Sequence, residues 1–184
     1  MSSKLIWVFL AVVFVLLAGG LYQTVPKTED IKIVNMINNK GESMGTVQLS
    51  KTKAGVLLNL DLTGLTPDGE HAMHIHETGA CTPLETFKDS GGHYNPTGHK
   101  HGMMHPEGQH AGDMPNLKPD SKGEIKVAFV NLHVTLDDGE SGLYDEDGSA
   151  IIIHAGADDH MSQPSGAAGA RIACGLIDST IVKE

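Results

Sequence analysis

Eight of the eleven histidines in this chain lie between His71 and His110, a density that ordinary solvated surface does not require. From Thr78 to Gly123 the chain has no convincing helical or strand period. Loops of this length inside a compact domain are usually functional or disordered, so something has to order this one. A bound ion can do so, because ligation offsets the entropy lost when the surrounding backbone is fixed. The sequence therefore predicts a long loop organised by metal.

Short runs rich in β-branched residues, separated by turn residues, predict that the rest of the domain is β-structure. Asn38-Asn39-Lys40-Gly41, for example, has the chemistry of a hairpin turn. No amphipathic helical period lies among these runs, which favours an all-β, antiparallel Greek-key β-sandwich or flattened barrel. The strands are predicted at 31–37, 44–51, 55–62, 71–77, 124–136, 150–154 and 170–177.

The first residues of the chain are typical of an export signal. Lys4 precedes the apolar run 5–18, and small residues follow at Gly19 and Gly20. We interpret residues 1–20 as a signal peptide or N-terminal membrane anchor, 21–30 as a polar linker and 31–184 as one folded domain. If the leader is not cleaved, residues 5–22 are just long enough to tether the protein to a membrane. The domain is expected to be exported.

The two cysteines agree with export. Cys81 lies in the long loop and Cys174 in the last predicted strand. An even number of cysteines in an exported chain predicts one disulfide. Such a bridge would fix the long loop to the last strand.

The charge of the chain argues against nucleic acid as a partner. The formal net charge is −10 at pH 7, and the chain has no blocks of basic residues. Sequence-independent binding to the phosphates of nucleic acid requires clustered lysines and arginines.

Four histidines have the pattern of a copper site. His74 and His76 lie two apart on a predicted strand, so both side chains leave the same face. His154 ends another predicted strand and can add a third nitrogen, and His93 lies in a glycine- and proline-flanked segment that would fix its backbone. Four imidazole nitrogens in a tetragonal arrangement favour Cu(II) among first-row ions.

A second group follows His93 in the loop. His101, His110 and Asp113 would join His93 to give three imidazoles and one carboxylate. Zinc takes closed tetrahedral shells of this kind in structural sites. The zinc set is a closed shell, whereas the copper set is more open. This difference implies different roles for the two ions.

Several segments resemble the copper-zinc superoxide dismutase family, and most closely its bacterial exported members. The resemblance spans about 31–182, and its strongest segments are AMHIHE at 72–77, GGHYNP at 91–96, HAGD at 110–113 and GAAGARIACGLI at 166–177. It implies a periplasmic or cell-surface enzyme that uses one copper and one zinc ion to convert superoxide to oxygen and hydrogen peroxide. Whether it is a monomer or a homodimer stays open.

The resemblance also implies residue roles. His93 would bridge copper and zinc through both ring nitrogens and couple electron transfer to proton transfer. Asp158 would link a copper histidine to a zinc histidine, and Arg171 would guide the anion to copper. Cys81 and Cys174 would form the family's intrasubunit disulfide.

The net charge has a consequence for this proposed substrate. Superoxide is an anion, so a strongly negative protein needs a local positive field at the site. Arg171 and the metal ions would have to supply it, because no lysine lies between Asp158 and Arg171. Lys88 and Lys100 are the other candidates.

The remaining histidines and methionines have simpler interpretations. We expect a structural role for His71 and no ligand role for His133 in the middle of a strand. His99, His105 and His160 are interpreted as surface residues or as histidines near the site that do not bind metal. Met103-Met104-His105 could contact Cu(I) transiently, but is interpreted as exposed loop. Two alternatives to the enzyme are a module that stores or transfers copper and an exported adhesion sandwich stiffened by zinc.

Overall fold

A computed structural model describes residues 31–178 of the chain. The predicted leader at 1–20, the linker at 21–30 and the last residues of the predicted domain, 179–184, lie outside this part. In 31–178, no helix has the length and apolar character needed to cross a membrane. The strands are β1 (Ile31–Asn38), β2 (Ser43–Lys51), β3 (Val56–Leu62), β4 (Met73–His76), β5 (Ile125–Asn131), β6 (Ser149–His154) and β7 (Arg171–Ile177).

All neighbouring strands are antiparallel, in the order β4-β6-β7-β1-β2-β3-β5. The β1–β2–β3 meander forms one half, and the β3–β4 and β5–β6 connections cross to the other. Such crossings are the mark of Greek-key connectivity. The prediction of an all-β, antiparallel Greek-key fold is confirmed, and the seven strands form one curled sheet.

The core lies on the inner face of this sheet. In β3, Val56, Leu58, Leu60 and Leu62 are buried and alternate with partly or fully exposed residues such as Asn59. Side chains of a strand point alternately to opposite faces, so this period places every second residue in the core. The inner face of β3 packs in one cluster with buried residues of β1, β2, β4, β6 and β7.

The two halves of the sheet meet where β1 pairs with β7. This seam has only two residue pairs, Ile37 with Cys174 and Asn38 with Ala173, next to a register shift in β1. Gly175 lies at the seam, and a Cβ atom there would come within 2.4 Å of Met36 Sδ. A larger residue here would displace buried side chains of β1, so glycine suits the seam.

β5 is shorter than predicted. The predicted strand 124–136 ends at Asn131, whose buried side chain donates to Ala111 O and accepts from His133 N, both at 2.8 Å. These bonds turn the chain away from the sheet. The prediction that His133 lies in a strand is wrong, because it is exposed in the following loop.

The long loop from Thr78 to Gly123 is ordered without extended secondary structure. It contains two short 3-10 helices, Pro83–Glu85 and Lys88–Ser90, which the sequence did not predict. Cys81 and Cys174 form a disulfide that ties the start of the loop to β7, as predicted.

Candidate metal centre

The loop returns along the outer edge of β4 and brings the candidate ligands together. His76 forms an isolated antiparallel bridge with His93, and His74 forms one with Asp113. On the other side of β4, β6 pairs in register and ends at His154. Backbone pairing on both sides of one short strand therefore brings five of the candidate ligands close together.

The predicted copper set forms one compact buried group. His74, His76, His93 and His154 each offer a ring nitrogen, and these four atoms lie within 4.8 Å of one another. The four atoms without a hydrogen-bond partner are Nδ1 of His74 and Nε2 of the other three. Buried polar atoms are nearly always paired, so four orphans aimed at one place indicate a missing common partner. A cation that binds nitrogen fits this place.

The opposite ring nitrogens of three of these histidines are fixed by hydrogen bonds. His74 Nε2 donates to Asp158 Oδ2 at 2.9 Å, His76 Nδ1 donates to Gly91 O at 3.0 Å and His154 Nδ1 donates to Gly169 O at 3.1 Å. A proton held on one nitrogen leaves the lone pair on the other. The backbone and Asp158 therefore select the tautomer that ligates.

The predicted zinc set surrounds one carboxylate oxygen. Asp113 Oδ1 lies 2.9 Å from His93 Nδ1, 3.1 Å from His101 Nδ1 and 3.4 Å from His110 Nδ1. A tighter grouping by distance contains His74 in place of His110. His110 Nδ1 lies 3.4 Å from both Asp113 Oδ1 and His93 Nδ1, so the predicted set with His110 also meets at this carboxylate. Three nitrogens and one oxygen suit zinc.

Asp158 connects the two groups through their outer nitrogens. It accepts from His74 Nε2 at 2.9 Å and from His101 Nε2 at 3.0 Å. Asn116 holds the Asp158 backbone, because its side chain donates to Asp158 O at 2.8 Å and accepts from Asp158 N at 2.9 Å. Asn116 was not identified from the sequence, which has no motif around it.

Burial controls the protonation of the four-histidine group. It lowers the pKa of His74 to about 3, that of His76 to about 2 and that of His154 to about 4. Removing an imidazolium from water disfavours its charge. These rings are neutral near pH 7, which is the form that binds metal.

In the group around Asp113, hydrogen bonds between histidines and carboxylates outweigh the effect of burial on the pKa values. Burial alone would lower the pKa of His101, but hydrogen bonds to Asp113 and Asp158 outweigh it and raise this pKa to about 9. Burial also opposes ionisation of Asp113, yet hydrogen bonds from His101, His110 and His93 hold its pKa far below the usual range. The carboxylate is therefore ionised, and without metal the protonated His101 is its positive partner. A divalent cation held by the same residues would take the place of that proton.

Arg171 lies at the mouth of the four-histidine group. An open cavity of about 390 Å³ is lined by Arg171 together with His76, His93 and His154. The guanidinium donates to Phe87 O at 2.6 Å, to Ser90 Oγ at 3.0 Å and to Gly91 O at 2.7 Å. These acceptors, which sequence reasoning missed, follow Cys81 in the loop. The disulfide and the arginine thus connect the same two segments.

The other predicted residues lie outside the two groups. His71 is buried and structural, since its Nδ1 donates to His154 O at 2.8 Å and its Nε2 accepts from Thr66 N at 3.3 Å. Lys88 and Lys100 are exposed and do not line the cavity. Of the residues proposed to guide an anion, only Arg171 lies at its mouth.

Comparisons with known proteins give one consistent result. The family model for copper/zinc superoxide dismutase (SODC) matches residues 43–177. Superoxide dismutase (Cu-Zn) 2 of Aquifex aeolicus (strain VF5) is 50% identical over 152 residues, which cover 82% of this chain and 88% of the relative. The Cu-Zn superoxide dismutase of Caulobacter vibrioides is 43% identical over 141 residues, covering 74% of this chain and 79% of the relative.

Solved structures agree with the sequence comparisons. A SOD-like protein from Bacillus subtilis matches with a TM-score of 0.76 and 35% identity, over 79% of this chain and 97% of that chain. Cu/Zn superoxide dismutase from Brucella abortus matches with a TM-score of 0.64 and 29% identity, over 80% of this chain and 99% of that chain.

Proposed function

This chain belongs to the copper/zinc superoxide dismutase family, and we propose that its two histidine groups make it an active enzyme with one copper and one zinc ion. The overall reaction takes two superoxide anions and two protons to one oxygen and one hydrogen peroxide. The proposed copper ligands are His74, His76, His93 and His154; the proposed zinc ligands are His93, His101, His110 and Asp113.

One observation carries this proposal. Four buried nitrogens without partners face one another, and the ring of His93 contributes to both this group and the group around Asp113. A module that only stores copper does not need a ring shared with a second site. A sandwich stiffened by zinc alone does not need the four unpaired nitrogens.

Bound copper supplies one-electron redox chemistry, while zinc has a single oxidation state and serves to hold the loop. The protein contributes positioning and proton handling. His93 Nδ1 faces Asp113 and its Nε2 faces the copper set, so we assign to Nε2 the role of accepting a proton and passing it to the reduced product. Asp158 holds His74 and His101 in the tautomers that leave their Nδ1 lone pairs free.

Arg171 would attract and orient the substrate. Its guanidinium lies on the wall of the cavity that contains the unpaired nitrogens, in a protein whose formal net charge is −10. A local positive charge in a cleft focuses the field and raises the encounter rate of a small anion.

We further propose that residues 1–20 direct export. They act either as a cleaved signal peptide or as an uncleaved anchor in which residues 5–22 tether the protein to the membrane. In this proposal 21–30 link the leader to a domain at 31–184 in a bacterial periplasm or on the outer face of the membrane. The Cys81–Cys174 disulfide supports an oxidising compartment. Mass spectrometry of the native N-terminus tests cleavage, and sedimentation of the purified protein tests for a homodimer.

The function is tested by measuring metal content and superoxide consumption on the purified full chain. We expect one copper and one zinc per chain with rapid consumption. His93→Ala should remove most of the activity and weaken both metals, whereas His133→Ala, at an exposed loop position, should change neither. Tight copper without consumption would instead indicate a storage module, and zinc alone a scaffold.

A further inference from the structure

Three exposed methionines lie in two adjacent segments of the surface. Among residues 31–178, Met36, Met44, Met73 and Met114 are buried. The other methionines of this part are Met103, Met104 and Met161, which are 44%, 63% and 44% exposed. Single exposed apolar residues are common on proteins, but the concentration of one side-chain type in two neighbouring segments is not explained by the core.

Backbone contacts bring the two segments together. Met104 N donates to His160 O at 3.2 Å. Gly102 packs so closely on the second segment that a Cβ atom there would lie 2.1 Å from His160 O, and its φ of +109° also favours glycine. The segments that carry Met103, Met104, His160 and Met161 are therefore adjacent, and we call these four residues the methionine patch.

Both segments are held in turns. His105 N donates to Gly102 O at 3.0 Å, which places Met103 and Met104 at the two central positions of the turn. Asp159 Oδ1 accepts from Met161 N at 2.9 Å. The backbone is therefore fixed, and only the side-chain rotamers have to be ordered when the thioethers bind a common ligand.

His160 adds a nitrogen to the patch. Its backbone is in the left-handed region, with φ of +58°, and its Nδ1 is buried without a hydrogen bond, 3.3 Å from Asp158 Oδ2. Within the described residues its Nε2 has no hydrogen-bond partner and is not buried. Nε2 is therefore the ring nitrogen that a ligand outside the protein can reach.

We propose that the methionine patch is a third metal site and that it binds Cu(I). Thioether sulfur is a soft ligand that selects Cu(I) over zinc and other divalent ions, and an imidazole nitrogen completes a mixed sulfur and nitrogen set. The site shares no ligand with the two buried groups. It lies immediately outside them, because Gly102 N donates to Asp113 Oδ2 at 2.8 Å and His160 N donates to Asp158 Oδ1 at 2.7 Å.

The site is tested by anaerobic titration of the full chain, loaded with copper and zinc, against Cu(I) buffered by bicinchoninate. We expect the wild type to bind one Cu(I) beyond its buried metals. The combined Met103→Leu, Met104→Leu and Met161→Leu variant should bind it at least tenfold more weakly. Leucine keeps the apolar volume and removes the sulfur, so the comparison separates ligation from apolar contact.

Two further variants sharpen the test. His160→Asn should also weaken Cu(I) binding, since asparagine tolerates positive φ but offers no imidazole. Met44→Leu, a buried methionine in β2, is the matched control and should bind Cu(I) as the wild type does. X-ray absorption of the extra copper should show sulfur ligands. Absence of extra Cu(I) in the wild type, or equal affinity in the triple variant, would overturn the proposal.

Discussion

Replacing Asp158 by asparagine should weaken copper binding more than zinc binding. Oδ1 of Asp158 accepts two hydrogen bonds, from His101 Nε2 at 3.0 Å and His160 N at 2.7 Å, whereas Oδ2 accepts from His74 Nε2 at 2.9 Å. An asparagine can place its single oxygen where two donors meet, so its NH₂ group then faces His74. Two donors cannot face each other, and His74 must move its proton from Nε2 to Nδ1.

Nδ1 of His74 is the atom that faces the proposed copper position, so this tautomer no longer binds the ion without a cost. Loss of an outer partner of a metal-bound histidine typically reduces metal affinity by about 10- to 100-fold. That range corresponds to about 1.4 to 2.7 kcal/mol. We expect the full effect on copper and a smaller effect on zinc, because His101 keeps its acceptor.

Competition with chelators of known affinity measures both effects separately on the purified protein. Asp120→Asn is the control, because Asp120 is exposed and its Oδ1 also accepts two hydrogen bonds, from Lys122 N and Glu124 N. Copper affinity within twofold of the wild type, or a larger loss for zinc than for copper, would refute this account of Asp158.

Three other predictions follow from the same geometry. Arg171→Ala should lower the second-order rate constant for superoxide about tenfold at low ionic strength, with both metals retained; an unchanged constant in stopped-flow assays would remove Arg171 from the mechanism. Cys81→Ser with Cys174→Ser should lower the free energy of unfolding by about 4 to 5 kcal/mol in urea, from the loop-entropy cost of a 93-residue separation; a loss below about 1 kcal/mol would contradict it. After metal removal by a chelator, the protein should lose stability as pH falls from 7 to 5. The unfolded state then takes up protons that buried His74, His76 and His154 do not bind, at a cost of about 2 kcal/mol of stability for each, while the raised pKa of His101 returns about 1 kcal/mol. A urea midpoint that rises on acidification would show that the sign is wrong.

Strand positions and the ligand candidates were predictable because both depend on local spacing. The two-residue period that buries alternate side chains of β3 also places His74 and His76 on one face. β5 was overestimated because Leu132–Leu136 continues the apolar pattern, and only the buried bonds of Asn131 end the strand.

The support around the ligands was not predictable from the sequence. Arg171 is held mainly by carbonyl oxygens of Phe87 and Gly91, and every residue carries such an oxygen. Which carbonyls meet the guanidinium depends on the path of an irregular loop. Asn116 similarly acts through the backbone of a residue forty-two positions away. The candidate ligands can be identified from short sequence segments. The groups that hold their other ring nitrogens and the guanidinium in place depend on how the loop folds.

The two isolated bridges along β4 have a consequence beyond bringing ligands together. β4 is the outermost strand of its half of the sheet, and in the described residues its free side is covered only by the segments that carry His93 and Asp113. An uncovered strand offers a row of unpaired amide and carbonyl groups to any other chain. The segments that carry His93 and Asp113 therefore also shield this strand from other chains, and we expect the metal-free protein to self-associate more readily than the metal-loaded protein.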